Sequence, residues 1–220
     1  MRLLDLLLPV RCVVCAQPGE QLCTGCRESL PPLRPPFCER CGAPTAWPVS
    51  RCRECSGRRL AFASARAAVE YDERVRRLVS AWKERGLRRL ARDAADEVAT
   101  AVARPRVAAL TFVPPDRERV LERGHHPAES LARELGRRWE LPVLPLLARA
   151  RWVKHQRGLT RAERRRNVAG AFRPAAAAPS RVALVDDVYT SGATANAAAS
   201  ALRKGGARRV EVVTFARVVR

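Results

Sequence analysis

Eight cysteines constrain the fold of this chain more than any other feature of its sequence. They form four Cys-x2-Cys pairs, namely Cys12 with Cys15, Cys23 with Cys26, Cys38 with Cys41, and Cys52 with Cys55. A spacing of two residues lets both thiolates of a pair bind one tetrahedral ion, and two such pairs complete a site of four sulfur ligands. The pattern therefore predicts two closed structural zinc sites, which fold a segment rich in proline and arginine.

The spacing does not by itself decide which pairs share an ion. The linkers from Cys15 to Cys23 and from Cys41 to Cys52 are short. They favour sequential pairing, with the first four cysteines on one zinc and the last four on the other, and an interleaved arrangement is the alternative. A disulfide framework, a redox Cys-x-x-Cys pair and iron–sulfur ligation are weaker alternatives. The opening MRLLDLLLPV is short and interrupted by Asp5, so it predicts a packing helix and not a signal peptide.

The sequence changes character after Cys55 and alternates between apolar strands and amphipathic helices. We predict a cysteine-rich double zinc-binding module over residues 1–58 and an α/β domain over residues 59–220. The predicted strands cover 62–71 (an edge strand), 108–113, 141–147 and 209–218, together with the apolar run 182–185. The predicted helices cover 73–103, with an interruption at Gly86, and 127–139 and 193–204. Lys83 lies in the first of these helices, where a solvated lysine is the default interpretation and a phosphate contact is the alternative.

The stretch RVALVDDVYTSGAT, from Arg181 to Thr194, is the clearest candidate for a binding site. Its apolar run suits a strand buried on both faces, and Asp186 and Asp187 follow at the carboxyl end of that strand, where open α/β sheets bind ligands. A loop of small residues then leads into a helix beginning at about Ala193. Small residues let the backbone approach a phosphate, and the free N–H groups of the helix donate to it, so the stretch predicts a binding site for a phosphorylated sugar. The alternative is an ordinary strand and turn whose aspartates cap the helix. The loop residues are Thr190, Ser191, Gly192, Ala193 and Thr194.

A second anion-binding turn follows the predicted strand 108–113. Arg119 and Arg123 are four residues apart, and Gly124 lets the backbone approach a diphosphate closely. His125 and His126 come next; they can donate to an anion, although surface histidines opening a helix are at least as common.

The strand, acid pair, Thr-Ser-Gly-x-Thr loop and helix resemble the signature of type I phosphoribosyltransferases. This resemblance implies a Rossmann-like parallel sheet with flanking helices and a hood, here preceded by a small zinc-ribbon-like module. It also implies binding of 5-phosphoribosyl-1-pyrophosphate with Mg²⁺. The loop would then grip the 5′-phosphate, while the catalytic acids Asp186 and Asp187 contact the ribose hydroxyls.

The likeness narrows to the ComF/GntX-type competence-associated proteins, which also have a cysteine-rich N-terminus. Their R-x-x-x-R-G-F-N-Q loop is matched at Arg119, Arg123 and Gly124, but this chain has His-His-Pro where Phe-Asn-Gln is usual. The segment 148–172 matches a second family motif, and the resemblance implies that it forms the hood that closes over the substrate; a solvated basic hairpin is the alternative. Its matching residues include Gln156, Arg164 and Asn167.

The formal net charge of +20 is the remaining clue to function, since it favours anionic partners. Arginine-rich composition bias accounts for it equally well. No apolar run reaches the length of a transmembrane helix, so we expect a cytoplasmic protein without membrane insertion. The family implies an association with DNA uptake or DNA processing. We therefore consider two hypotheses. In the first, the protein is a phosphoribosyltransferase with an unknown acceptor. In the second, it is a non-catalytic adaptor that binds single-stranded DNA and DNA-processing proteins and uses its phosphoribosyl pocket to sense a ligand.

Overall fold

Strands and helices alternate along the chain after the last cysteine. The structure, a computed structural model, describes residues 10–115, 124–150 and 170–219. The strands are β1 (Ser64–Glu70), β2 (Ala109–Phe112), β3 (Leu147–Arg149), β4 (Phe172–Pro174), β5 (Arg181–Tyr189) and β6 (Arg209–Arg217). The helices are α1 (Thr24–Glu28), α2 (Glu73–Glu84), α3 (Leu90–Ala101), α4 (Pro127–Trp139) and α5 (Ala193–Lys204).

Four of the strands form one parallel sheet in the order β1-β6-β5-β2. Strand β5 lies in the interior of this sheet, and its residues 182–185 are fully buried. Such a strand is covered on both faces, which explains why its apolar residues follow one another without the alternation of a half-exposed strand. The predicted α/β class with a parallel sheet is therefore confirmed.

The two faces of the sheet carry separate apolar cores. Ala183 and Val185 of β5 point into one core, which α2, α3 and α4 cover, while Val182 and Leu184 point into the other, which α5 covers. The cysteine-rich segment is divided between them, since Cys12 lies in the first core and Cys38 in the second. Each cysteine group thus packs on its own face of the sheet. The domain boundary at residues 58 and 59 stays a prediction.

Both edges of the sheet are covered by connecting segments. At the β1 edge, the Glu70 N–H donates to the Pro31 carbonyl over 2.8 Å, and the Leu33 N–H donates to Ala68 over 3.1 Å. At the β2 edge, Leu110 exchanges hydrogen bonds with the segment 142–144 in the same way. These contacts use backbone groups that an open edge would leave available for pairing with other chains.

The prediction of one strand over 141–147 is wrong. Within this range a single bridge pairs Val143 with Leu110, and the regular strand β3 begins only at Leu147. Pro142 and Pro145 lack the N–H groups that a continuous ladder requires, which explains the interruption. Strand β3 pairs instead with β4 in a separate antiparallel sheet of two strands.

The long helix predicted over 73–103 is divided as expected near Gly86, which has a positive φ of 68°. Helix α2 begins after Asp72, whose side chain accepts a hydrogen bond from the Val75 N–H over 2.8 Å. The opening segment MRLLDLLLPV, predicted to be a helix, lies outside the described residues except for Val10.

Candidate functional site

The eight cysteines form two groups of four, and the pairing is sequential as predicted. One group contains Cys12, Cys15, Cys23 and Cys26, the other Cys38, Cys41, Cys52 and Cys55, and the sulfur atoms of each group lie within 4.8 Å of one another. Neighbouring sulfur atoms are 3.4 to 4.0 Å apart. A tetrahedral zinc ion with Zn–S bonds of about 2.3 Å separates its ligands by about 3.8 Å, whereas a disulfide needs about 2.05 Å. The two groups therefore fit two structural zinc ions.

In each group, backbone N–H groups favour the thiolate form of one cysteine, Cys12 in the first group and Cys38 in the second. The Cys52 N–H donates to the Cys38 sulfur over 3.3 Å. Burial opposes ionisation of Cys12, but backbone N–H groups, including those of Cys15 and Cys23, lower the pKa of Cys12 to about 6. With four thiolates in each group, a bound zinc ion keeps no open position for a substrate, so its contribution is to folding.

The acid pair lies within the last part of β5, since the strand continues past Asp186 and Asp187 to Tyr189. Asp186 pairs in register with Thr214 of β6, and its side chain accepts a hydrogen bond from the Asp187 N–H over 2.9 Å. Asp187 is 8% exposed. The charge of Asp187 acts on Asp186, so the two carboxyl groups lie close to each other near the carboxyl edge of the sheet.

Lys83, at the end of α2, is paired with this site and not solvated as the sequence suggested. Its ammonium lies 2.5 Å from a carboxylate oxygen of Asp187, and its side chain is 27% exposed. Burial opposes the charged ammonium, yet Asp187 holds the pKa of Lys83 above its ordinary value. Burial and the charge of Asp187 raise the pKa of Asp186 to about 7, against the opposing charge of Lys83. The site thus combines a neutralised carboxylate with one that titrates near neutral pH.

The small-residue loop connects β5 to α5 as predicted, and α5 begins at Ala193. Gly192 adopts a positive φ of 70°, and a Cβ atom there would lie 2.2 Å from the Tyr189 hydroxyl, so only glycine fits. The first turn of α5 directs backbone N–H groups and the positive end of the helix dipole toward the loop. The loop therefore has the geometry of an anion-binding turn next to the acid pair.

Two further basic residues lie near the acids: Arg149, which was not predicted, and His126, which the sequence offered as a donor to an anion. The charge of Arg149, in β3, acts on Asp186, and its Nε donates to the Pro115 carbonyl over 2.9 Å. The charge of Asp187 acts on His126, which packs edge-on against Phe112 at a ring distance of 5.4 Å. Burial lowers the pKa of His126, so this imidazole is neutral at pH 7. Its side chain is only 11% exposed, which excludes the surface histidine, one of the two interpretations that the sequence left open.

Most of the predicted diphosphate and hood residues lie outside the described residues. These are Arg119 and Arg123 of the second turn and Gln156, Arg164 and Asn167 of the hood. Gly124 is described, with a positive φ of 63° and a carbonyl that accepts a hydrogen bond from Arg88. Among the helices of the described part of the chain, none is long and apolar enough to span a membrane.

Comparison with known proteins relates this chain to a domain family, to a solved structure and to a named protein. The double zinc ribbon domain model matches residues 3–56. A crystal structure of TT1426 from Thermus thermophilus matches with 22% identity and a TM-score of 0.36, over 58% of this chain and 83% of that one. Competence protein F from Haemophilus influenzae is 30% identical over 210 residues, which cover 89% of this chain and 90% of that protein. On this identity and coverage, the chain belongs to the competence protein F family.

Proposed function

We propose that the protein binds 5-phosphoribosyl-1-pyrophosphate and transfers its phosphoribosyl group. The observation that carries this proposal is the position of the acid pair beside the loop that opens α5, at the carboxyl edge of a parallel sheet. Carboxylate oxygens accept hydrogen bonds from ribose hydroxyls, and the loop N–H groups hold the 5′-phosphate. In this proposal Asp186 and Asp187 orient the ribose, and residues 190–194 anchor its phosphate.

The remaining parts of the ligand are assigned to Gly124 and to residues outside the described segments. Arg119 and Arg123 hold the diphosphate together with the backbone at Gly124, and the hood residues Gln156, Arg164 and Asn167 close over it. Mg²⁺ bound together with the ligand would neutralise part of the charge of the leaving diphosphate. A cytoplasmic location also stays a prediction.

The proposed reaction is displacement of pyrophosphate by a nitrogen nucleophile. The bond from the anomeric carbon to the diphosphate oxygen breaks, a bond from nitrogen to that carbon forms, and positive charge develops on the ribose ring in the transition state. Asp186 and Asp187 lie where their negative charge stabilises that ring. A pyrophosphate-release screen against nucleobases, small amines and single-stranded nucleic acid tests this step. Release with one class of acceptor supports transfer, while tight ligand binding without release for any acceptor contradicts it and leaves a binding protein.

The pKa of Asp186, about 7, leads to a prediction on pH dependence. The ionised carboxylate accepts hydrogen bonds from ribose hydroxyls better than the protonated acid, and its fraction rises from about 10% at pH 6 to about 90% at pH 8. We therefore expect the affinity for ribose 5-phosphate to rise about tenfold between pH 6 and pH 8 in calorimetric titrations. The Asp186→Asn variant is the control, since the difference between its pH profile and that of the unaltered protein isolates this carboxyl from the titration of the ligand phosphate. If the pH profiles of the Asp186→Asn variant and the unaltered protein coincide, the assignment of Asp186 as a ribose ligand is contradicted.

A second candidate function, binding of single-stranded DNA, is favoured by one surface of the second cysteine group. The indole of Trp47 is 69% exposed, and it borders a groove of about 380 Å³ together with the exposed residues Arg51 and Arg53. Exposed aromatic rings stack on bases and arginines follow the phosphates, a combination typical of proteins that bind single strands. The Haemophilus influenzae relative is a competence protein, and the formal charge of +20 is of the sign that this role requires.

Replacing Trp47 by alanine is expected to weaken single-stranded DNA binding by about fivefold to a hundredfold, because one stacked base contributes about 1–3 kcal/mol. Fluorescence anisotropy of a labelled oligonucleotide at low salt measures the change. Trp47→Phe should retain most of the affinity, and Val10→Ala serves as a control at another exposed apolar side chain. Unchanged affinity of Trp47→Ala, or binding without a salt dependence, would exclude this surface as the DNA site.

A further inference from the structure

The second cysteine group, Cys38 to Cys55, is joined to the end of the sheet by a buried arginine. Arg217, the last residue of β6, has a side chain that is only 2% exposed. Its guanidinium donates to the Cys41 carbonyl over 2.6 Å and lies 2.9 Å from a carboxylate oxygen of Glu54, and it contacts the Cys41 sulfur at 3.8 Å. Cys41 belongs to the third Cys-x2-Cys pair and Glu54 lies within the fourth, so one side chain ties both halves of the metal group to β6.

The same guanidinium reaches the loop that binds the phosphate in our proposal. It stacks on the ring of Tyr189 at 4.6 Å, and Tyr189 is the residue directly before that loop. The Tyr189 hydroxyl in turn lies directly under Gly192, where no Cβ atom fits. Phe62 packs edge-on against the Tyr189 ring at 6.3 Å. The loop therefore rests on a ring whose position is set by Arg217 and by the segment that follows the cysteines.

A second arginine connects the two places independently. Arg58 donates to the Ser191 carbonyl in the loop over 3.0 Å and to the Glu54 carbonyl of the metal group over 3.4 Å. The Ala61 N–H, close by, donates to the Asn196 side chain in the first turns of α5 over 2.7 Å. Both ends of the loop, at Tyr189 and at α5, are thus held by residues that belong to or follow the second cysteine group.

The first cysteine group, Cys12 to Cys26, lies on the opposite face and provides a natural comparison. Cys12 and Leu22 pack in the core formed with α2 and α3. Arg77 of α2 donates to the Val14 carbonyl of this group over 3.1 Å, a contact of the same kind as that between Arg217 and Cys41. Arg77 is therefore a matched control for Arg217, since it binds the cysteine group on the face away from the loop.

We propose that the second cysteine group positions the phosphate loop through Arg217, Tyr189 and Arg58, so that metal occupancy of this group and ligand binding at the loop are coupled. The ligand part of this inference rests on the proposed function. Metal bound to four thiolates fixes the backbone at Cys41 and Glu54, and this holds both arginines against the loop. Coupling of this kind is reciprocal, so a ligand bound at the loop must also strengthen metal binding at the second group and leave the first unaffected.

Amide hydrogen exchange of the loop tests the positioning without any ligand. Exchange of residues 190–194 is expected to be about tenfold faster in Arg58→Gln and Arg217→Gln than in Arg77→Gln. Arg58→Lys, which keeps a donor toward Ser191, should restore part of the protection. If Arg217→Gln does not fold, Arg58→Gln decides the test, because Arg58 is partly exposed. Loop exchange equal to that of the unaltered protein in Arg58→Gln would overturn the proposal.

Metal titration tests the coupling. In the Cys15→Ser variant only the second group keeps four cysteine ligands, and the thiolate absorption band of bound Co²⁺ measures metal binding. Saturating ribose 5-phosphate is expected to tighten Co²⁺ binding in this variant by about fivefold or more. In Cys52→Ser, where only the first group is complete, the same sugar phosphate should change nothing. Equal effects in both variants would overturn the proposal. If ribose 5-phosphate binds neither variant nor the unaltered protein, the proposed function fails, and loop exchange with and without metal still decides whether the second group positions the loop.

Discussion

Replacing both Asp186 and Asp187 by alanine is expected to weaken binding of 5-phosphoribosyl-1-pyrophosphate by at least about a hundredfold. Each carboxylate offers charge-assisted hydrogen bonds to the ribose hydroxyls, and a bond to a charged group contributes about 1.5–3 kcal/mol. The two losses together amount to about 3 kcal/mol or more, which corresponds to a hundredfold or greater change in the dissociation constant. Lys83 loses its partner but remains partly exposed, so the fold should tolerate the change.

The control for this experiment is a second pair of acids that takes no part in the site. Asp93 and Asp96 lie on α3 and form ion pairs with Arg27 and Arg138. The variant Asp93→Ala plus Asp96→Ala removes the same number of charges and should keep its affinity within about threefold. Thermal unfolding of both double variants shows whether each is folded under the conditions of the titration. A folded Asp186→Ala plus Asp187→Ala variant that binds as tightly as this control would contradict the ribose assignment.

Removal of zinc is expected to cause the largest loss of stability. Cys12 and Cys38 are buried in the two separate cores of the sheet. Loss of the metal leaves buried cysteine thiols without their metal ion on both faces of the sheet. The free energy of zinc binding is folding free energy, and a loss of about 5 kcal/mol lowers the unfolding midpoint of a chain of this size by about 10–20 °C. Calorimetry after treatment with a strong chelator, with zinc content measured in parallel, gives the value.

Restoring zinc to the chelated protein controls for damage by the treatment and should return the original midpoint. The Cys38→Ser variant provides a second test, because its serine oxygen is a poor substitute for a thiolate at a position that is fully buried. We expect that variant to retain about one zinc ion per chain and to unfold at a lower temperature. A zinc-free protein with an unchanged midpoint would exclude a structural role for the metal.

Local patterns in the sequence are sufficient to predict the parts of the site that are contiguous along the chain. The apolar run of β5, the loop and the start of α5 are predictable because strand, turn and helix signals follow one another within 181–204. The sequential pairing of the cysteines is favoured by the short linkers from Cys15 to Cys23 and from Cys41 to Cys52, although the sequence leaves an interleaved arrangement open. In both cases the residues that act together are close in sequence, so spacing carries the information.

The contacts that sequence reasoning missed join residues far apart in the chain. Lys83 looks like any lysine in the last turn of a helix, and only the packing of α2 on the sheet brings it to Asp187. Arg217 looks like the polar last residue of a strand. Its burial depends on the second cysteine group, which covers the carboxyl end of β6. Arg149 lies beyond the stretch wrongly predicted as one continuous strand, so its pairing in β3 and its approach to Asp186 were not anticipated.

The distribution of the cysteine groups over the two faces of the sheet also could not be predicted from the sequence. Four prolines, Pro31, Pro32, Pro35 and Pro36, lie in the connector between the two groups. The structure places Pro31 and Leu33 of this connector along the β1 edge. The connector therefore carries the chain from one face to the other around the edge of the sheet. This path explains how a small module contributes to both cores and why its second half reaches the loop between β5 and α5.

The central claim is that the acid pair of β5 and the loop that opens α5 hold a phosphorylated ribose. Isothermal titration of the zinc-loaded protein with 5-phosphoribosyl-1-pyrophosphate and Mg²⁺ tests this claim most directly. We predict saturable binding of one ligand per chain, which ribose 5-phosphate competes for and which the Asp186→Ala plus Asp187→Ala variant loses. The absence of binding to the folded, zinc-loaded protein, or binding that persists undiminished in that variant, would contradict the claim.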